Sequence, residues 1–212
     1  MSLSPRKIEL LAPAKDYETG IAAINHGADA VYIAGKQYGL RAFAGNFDKA
    51  EMAEGIQFAH DRNVKVYVTV NVFAHNADFE GMEAYLKELL ELKVDAIIVS
   101  DPGIIRLARE KVPALPIHIS TQANCTNWSS VQFWKDMGAE RVVLARELSL
   151  PEIREIREKV DVELETFING AMCISYSGRC LLSNYMTGRD SNRGACAQPC
   201  RYQYALMEEK RP

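Results

Sequence analysis

Cys173, Cys180, Cys196 and Cys200 fall within 28 residues, spaced Cys173-x6-Cys180-x15-Cys196-x3-Cys200, and make up four of the chain's five cysteines. Thiolates are soft ligands that hold zinc or iron–sulfur clusters. Structural zinc sites usually pair tight knuckles with about two to four residues between the cysteines. Only Cys196 and Cys200 have that spacing; Cys173 and Cys180 are looser. A cubane presents its irons in different directions and tolerates wider gaps, so spacing alone leaves a [4Fe-4S] cluster and zinc both open. Arg179 directly precedes Cys180, and Arg193 lies three residues before Cys196. Cationic neighbours favour thiolate and offset cluster charge. Cys125 stands apart and reads as a packed or loop cysteine.

The elements that must position these thiols alternate. Short β-branched runs read as strands over Ile8–Ala14, Ala30–Gly35, Lys65–Val72, Ala96–Ser100, Ile117–Thr121, Arg141–Ala145 and Val162–Phe167. Between them, apolar residues at helical spacing predict helices over Asp16–Gly27, Asp48–Arg62, Asp78–Leu92, Gly103–Lys111, Trp128–Met137 and Pro151–Lys159. Strands alternating with helices predict a parallel sheet, and near-continuous apolar strands predict burial on both faces. The first strand runs into Pro13-Ala14-Lys15-Asp16 rather than the glycine fingerprint of a dinucleotide fold. The expected fold is therefore α/β: a TIM-type (β/α) barrel over residues 1–168, incomplete because a full barrel needs eight units, followed by a Cys-rich cluster-binding segment over 169–212.

In such a barrel, residues at strand C-termini gather on the active face. Gln122, Arg146, Glu147 and Glu165 become candidate catalytic residues, on the rim to which the seventh strand delivers Cys173. Arg179, Arg189 and Arg193 are candidates for gripping an anion, as is Arg146; ion pairs with Glu147 or Asp190 are the structural alternative. Tyr176, Tyr185, Tyr202 and Tyr204 lie among these arginines, either as faces for unpaired bases or as the core of a small subdomain. The four histidines have no metal-ligand spacing.

The chain has 212 residues, 48% of them hydrophobic, and a net charge of −3. That suits one globular domain with a substantial core. Charge is uneven. Residues 1–168 hold 19 Lys/Arg against 25 Asp/Glu, whereas 169–205 hold four arginines against Asp190. A basic, cysteine-rich patch on an acidic body suits RNA or an anionic small molecule. No apolar run is long enough for a membrane span and no secretory signal is visible, so the expectation is a cytoplasmic protein without a membrane partner. In a reducing compartment, grouped cysteines point to metal or redox chemistry rather than disulfides.

The string Glu165-Thr166-Phe167-Ile168-Asn169-Gly170-Ala171-Met172-Cys173, with Ser177-Gly178-Arg179-Cys180-Leu181-Leu182-Ser183 and Arg189-Asp190-Ser191-Asn192-Arg193-Gly194, resembles the signature of the peptidase U32 family. Leu10-Leu11-Ala12-Pro13-Ala14, Gly27-Ala28-Asp29-Ala30-Val31-Tyr32, Ser120-Thr121-Gln122 and Arg141-Val142-Val143-Leu144-Ala145-Arg146-Glu147 extend the resemblance in order. It is closest to the bacterial tRNA 5-hydroxyuridine branch. The resemblance implies an RNA-modifying hydroxylase with a [4Fe-4S] cluster on Cys173, Cys180, Cys196 and Cys200. It also implies tRNA as substrate, prephenate or a similar anion as oxygen source, and an electron donor of unknown identity. Relatives in the family hydroxylate ribosomal RNA or ubiquinone precursors, and others are described as collagenase-like proteases.

Two other functions are set against this. A peptidase would need a histidine near a thiol, a His-Glu-x-x-His motif or a Gly-x-Ser-x-Gly elbow, and the sequence has no such local motif. A non-catalytic, metal-stabilised RNA-binding module is the third reading.

Overall fold

The computed structural model describes residues 8–39, 47–170, 172–206 and 208. The outer ends of the two expected regions, 1–7 and 209–212, lie outside the described residues.

Seven strands, β1 (Leu11–Pro13), β2 (Ala30–Ala34), β3 (Lys65–Val70), β4 (Ala96–Val99), β5 (Ile117–Ile119), β6 (Arg141–Val143) and β7 (Glu163–Glu165), form one sheet in chain order. Every pairing is parallel. The helices α1 (Tyr17–Asn25), α2 (Lys49–His60), α3 (Met82–Glu91), α4 (Pro102–Lys111), α5 (Trp128–Asp136) and α6 (Leu150–Lys159) each follow a strand. A short α7 (Leu182–Thr187) lies in the cysteine segment. The result is a TIM-like half-barrel whose edge strands, β1 and β7, are not paired to each other. No helix among the described residues is long and apolar enough to cross a membrane.

Helix starts follow capping chemistry. Asp16, Asp48 and Ser149 close reciprocal boxes with Thr19, Glu51 and Glu152, satisfying amide groups that the first turn leaves open. Asp101 caps α4, with Pro102 beginning the helix. One helix begins later than its periodicity predicts. Asn76–Phe79 forms a 3-10 turn, Gly81 adopts φ 86°, and α3 starts only at Met82. Asp78 accepts the His75 backbone N–H at 2.6 Å instead of leading the helix.

Strand alternation divides the sheet into two chemistries. Val31, Ile33, Val66, Val68, Val70, Ile97, Val99, Ile117, Ile119 and Val142 face the helices and share a core with Met52, Leu86, Ile104 and Ile156. The opposite face is also buried, but mostly not apolar. Ala30, Tyr67, Ala96 and Ile98 form a small second cluster, beside buried Thr69, Asn71, Ser100, His118, Ser120 and Arg141.

Arg141 is the hub of this inner face, its side chain only 8% exposed. It donates to Glu9 Oε1 at 2.6 Å, to Glu163 Oε2 at 2.7 and 2.9 Å and to Glu165 Oε2 at 3.4 Å. Tyr67 donates to Glu9 at 2.9 Å, and the Arg141 guanidinium lies 5.2 Å from the Tyr67 ring centroid. Glu9 precedes β1, whereas Arg141 begins β6, so this contact crosses the concave face of the sheet. Burial raises the Glu9 pKa, but hydrogen bonds from Arg141 and Tyr67 outweigh it and hold the carboxyl below its usual value. Glu165 shifts the other way: burial outweighs the attraction of Arg141 and raises it. His118, edge-on to Tyr67 at 4.6 Å, is pushed down to about 3, first by burial and then by the charge of Arg141.

Arg141→Met leaves Glu9 and Glu165 without their cation. Urea unfolding at neutral pH should show a loss of about 3–5 kcal/mol. Glu163→Gln, which removes a carboxylate whose side chain is 57% exposed, should cost under about 1 kcal/mol. His118 folds neutral, so its stabilising contribution is complete above the unfolded value of 6.5 and is lost as pH falls towards about 3. Between pH 7 and about 5, wild type should therefore lose about 2 kcal/mol more stability than His118→Gln; equal losses would remove His118 from the account.

Candidate functional site

The C-terminal ends of the strands surround a pocket with about 780 Å³ of free space, open to solvent. β2 supplies Tyr32; β3 and its exit supply Thr69 and Asn71; β4 supplies Ile98. Ser120, Thr121 and Gln122 follow β5, Val143 and Arg146 come from the β6 end, and Glu165 and Phe167 from the β7 end. A 3-10 turn over Thr121–Ala123 closed by Asn124 in the left-handed region (φ 55°) folds Gln122 back over the rim.

The polar lining is mutually bonded. Asn71 Nδ2 donates to Ser120 Oγ at 3.3 Å and to Gln122 Oε1 at 3.2 Å, and the Ser120 hydroxyl donates to the same Gln122 oxygen. Arg146 Nη2 donates to Ser177 Oγ at 2.5 Å, and its guanidinium stands 5.9 Å from the Phe167 ring centroid. Its Nε is buried with no partner among the described residues. Such a group in a pocket wall is an unused donor, costly unless a ligand meets it.

Of the four candidate catalytic residues, Gln122, Arg146 and Glu165 converge on this pocket. Glu147 does not. Its neighbour Arg146 turns inward, and Glu147 is exposed and outside the lining. Of the candidate anion grips, Arg179 is exposed. Arg189 is exposed and donates Nε to the Ala195 carbonyl at 3.0 Å. Arg193 is engaged structurally: it grips Asp78 through two bonds of 2.7 and 2.9 Å and the Phe73 carbonyl at 2.7 Å. The Arg193 bond is the first cause holding Asp78 down at about 2.

This clamp seats the cysteine segment on the barrel. Phe73 N–H donates to the Asn192 carbonyl at 3.2 Å beside it. At a second seat, Gly178 has φ 73°, and a Cβ there would lie 2.9 Å from the Gln122 carbonyl oxygen and 3.2 Å from the Phe73 ring. Only glycine fits both the backbone and the approach. Ser177 and Gly178 thus lie against the same rim that Gln122 and Arg146 build.

Within the segment, Cys180 is half-buried, and its carbonyl accepts from Ser191 Oγ at 2.8 Å and Asn192 Nδ2 at 3.0 Å. Cys196 Sγ accepts the Gln198 N–H at 3.3 Å. Cys173, Cys196 and Cys200 are exposed, and all five cysteines are free thiols. Among the described residues, no group of three or more His, Cys, Asp or Glu side chains could hold a metal ion. The donor set suits a cluster chemically, but its four thiols do not converge in this conformation. Cys125 is buried, and burial pushes its thiol up to about 11, as a packed cysteine requires.

The profile of Peptidase family U32 matches residues 15–212. The chain belongs to this family. A tRNA hydroxylation protein of Bacillus subtilis (strain 168) is 56% identical over 203 residues, covering 96% of this chain and 48% of that protein. A 23S rRNA 5-hydroxycytidine synthase of Escherichia coli (strain K12) is 41% identical over 210 residues, covering 99% of this chain and 32% of that protein. The chain spans about half the length of the first curated relatives it matches. Among solved structures, a U32 peptidase superposes with a TM-score of 0.66 at 18% identity, covering 78% of this chain and 70% of the other, which supports the fold. Ser177, Gly178, Asn192 and Arg193, which lie in the strings whose resemblance to the family was read from the sequence, are among the residues that seat the segment on the barrel. Asp78 and Phe73, their barrel-side partners, carried no sequence signal, because their pairings with Arg193 span 115 and 120 residues.

Asp78→Ala should release the segment without unfolding the barrel. Charged hydrogen bonds contribute about 1.5–3 kcal/mol, so limited proteolysis within 172–206 should accelerate by about ten- to a hundredfold while thermal unfolding of the barrel moves little. Unchanged cleavage would show that Gly178 and Ser177 suffice to seat it.

Proposed function

We propose that this chain is the barrel part of an RNA-modifying hydroxylase that converts a tRNA uridine to 5-hydroxyuridine without molecular oxygen, using prephenate or a similar anion as oxygen donor. The observation that carries this reading is the 56% identity, across nearly the whole chain, to a tRNA hydroxylation protein. The pocket adds chemical support. A base held inside a folded RNA has to leave its stack to reach a recessed site such as this one. Gln122, whose amide oxygen is taken by Asn71 and Ser120, presents its amide nitrogen as a donor for a pyrimidine carbonyl, and Phe167 offers an aromatic face. Arg146 offers its unpaired Nε to a carboxylate. The electron donor is unassigned, and a tRNA substrate implies a cytoplasmic location.

Cys173, Cys180, Cys196 and Cys200 are the proposed ligands of a [4Fe-4S] cluster, with zinc as the alternative. Because no three of these thiols group among the described residues, loading would require them to come together; a bound cluster would bring redox or Lewis-acid capacity to this segment. A peptidase reading finds less in the pocket. Its lining has neither cysteine nor histidine, and Ser120 is bonded to Asn71 and Gln122 rather than to a base.

The protein purified without oxygen should contain about four irons and four sulfides per chain, lost in Cys173→Ala. Incubated with unmodified tRNA and prephenate, it should yield 5-hydroxyuridine by nucleoside mass spectrometry, and Arg146→Ala should lower the yield at least about tenfold. Zinc in place of iron would sink the cluster assignment. Iron-loaded protein that leaves uridine unchanged would sink the reaction.

A further inference from the structure

We infer that the tyrosine–arginine face of the cysteine segment is a docking surface for unpaired RNA, with bases stacking on Tyr185, Tyr202 and Tyr204 and phosphates meeting Arg179, Arg189 and Arg201. The inference rests on the RNA reading above and adds where and how the RNA is held.

The rings are exposed to an extent that packing does not explain. Tyr185 on α7 is 89% exposed, Tyr204 61% and Tyr202 50%. Two of the three, Tyr202 and Tyr204, are also tied down by hydrogen bonds. Tyr202 donates its hydroxyl to the Ala197 carbonyl at 3.0 Å, and Tyr204 donates to the Pro199 carbonyl at 2.7 Å. The Tyr204 hydroxyl also reaches Met186 Sδ at 3.5 Å, which ties it to α7. The Tyr202 and Tyr204 centroids are 6.4 Å apart with their planes 34° from one another. Both rings are therefore anchored at their polar tips and open on their faces. A fixed, exposed aromatic face gains little in water but gains much beneath a nucleobase.

Charge selects the partner. The three arginines of the face are exposed, and the segment 169–205 carries four arginines against a single acidic residue, on a body that is net acidic. A polyanion is steered to this end and repelled from the rest. Duplex RNA hides its base faces, so tyrosine rings contribute only where bases are unpaired. The same segment is seated against the pocket rim through Ser177–Arg146 and Gly178–Gln122. The segment that carries this face is thus joined to the rim of the mouth that would receive the reactive base.

The test uses the whole chain and two labelled RNAs in fluorescence anisotropy, a hairpin with a single-stranded loop and a fully paired duplex. The hairpin should bind more tightly. Tyr185→Ala should weaken hairpin binding about five- to 150-fold, the range for losing one stacked base, whereas Tyr185→Phe should retain it. Arg201→Ala should reduce the slope of log affinity against log salt by about 0.7. Phe133→Ala, which removes an exposed aromatic from α5 on the body, should bind like wild type. Wild-type affinity in both Tyr185→Ala and Tyr202→Ala, or a preference for duplex, would overturn the surface while leaving the RNA reading intact if hydroxylation persists. A wild-type chain that binds neither RNA would overturn both. Loss of binding in the variants of a chain that makes no hydroxyuridine would support the surface and overturn the reaction.

Discussion

Everything at the mouth of this half-barrel depends on a single buried guanidinium beneath it. Backbone pairing leaves β1 and β7 unjoined, so the curl of the sheet is not enforced by a closed ladder. Arg141 spans the concave face instead, drawing Glu9 from before β1 towards Glu163 and Glu165 on β7. A buried cation without partners would cost several kcal/mol. Those partners are supplied from both sides of the opening, so satisfying the charge and holding the curvature are the same event. An apolar filling of equal volume could provide stability, but it would not specify how far the two edges stand apart.

The inner face is graded along the strands. Its N-terminal end is ionic, with Glu9, Lys65, Arg141 and Glu163. Its C-terminal end is largely neutral and hydrogen-bonding, with Asn71, Ser120 and Gln122. Glu165 joins the two, because it lies in the pocket lining and also contacts Arg141. Above this, the cysteine segment is seated by Arg193 on Asp78 and by the missing side chain of Gly178. The segment is small and exposes much of its apolar surface, so these few directed contacts, rather than a core of its own, set its position on the rim.

How much of this was legible depended on range. Strands and helices followed from local periodicity, and the parallel half-barrel from their alternation. The place of Gln122, Arg146 and Glu165 at the mouth was legible because strand ends are readable and barrel mouths collect them. Glu147 was misplaced because adjacent residues leaving a strand point to opposite sides, and sequence gives no phase once the strand has ended. The late start of α3 and the occupation of Arg193 have one cause. Asp78 looks like a helix-leading acid, yet its carboxylate is taken by a backbone amide nearby and a guanidinium far along the chain. The polar inner face was likewise hidden: Tyr67, His118 and Arg141 are scattered through apolar strands, and only the sheet brings them together. Cysteine spacing showed that four thiols are near in sequence, but how each is exposed and which of them group are properties of the loops between them.

The pocket's chemistry follows from what its two supports leave unsatisfied. Arg193 is spent on the clamp and Arg141 on the hub, so the cation left at the mouth among the lining residues is Arg146, bonded through one nitrogen to Ser177 and unpaired at Nε. The acid in that lining is Glu165, and burial biases its carboxyl towards the neutral form. An entering anion therefore meets an unspent donor beside a carboxyl that repels it less than a solvated one would. Because Arg146 also holds Ser177, binding at Nε and seating of the segment act on one guanidinium. A ligand that reorients Arg146 therefore acts on one of the contacts that join the barrel to the segment carrying the cysteines and the exposed tyrosines.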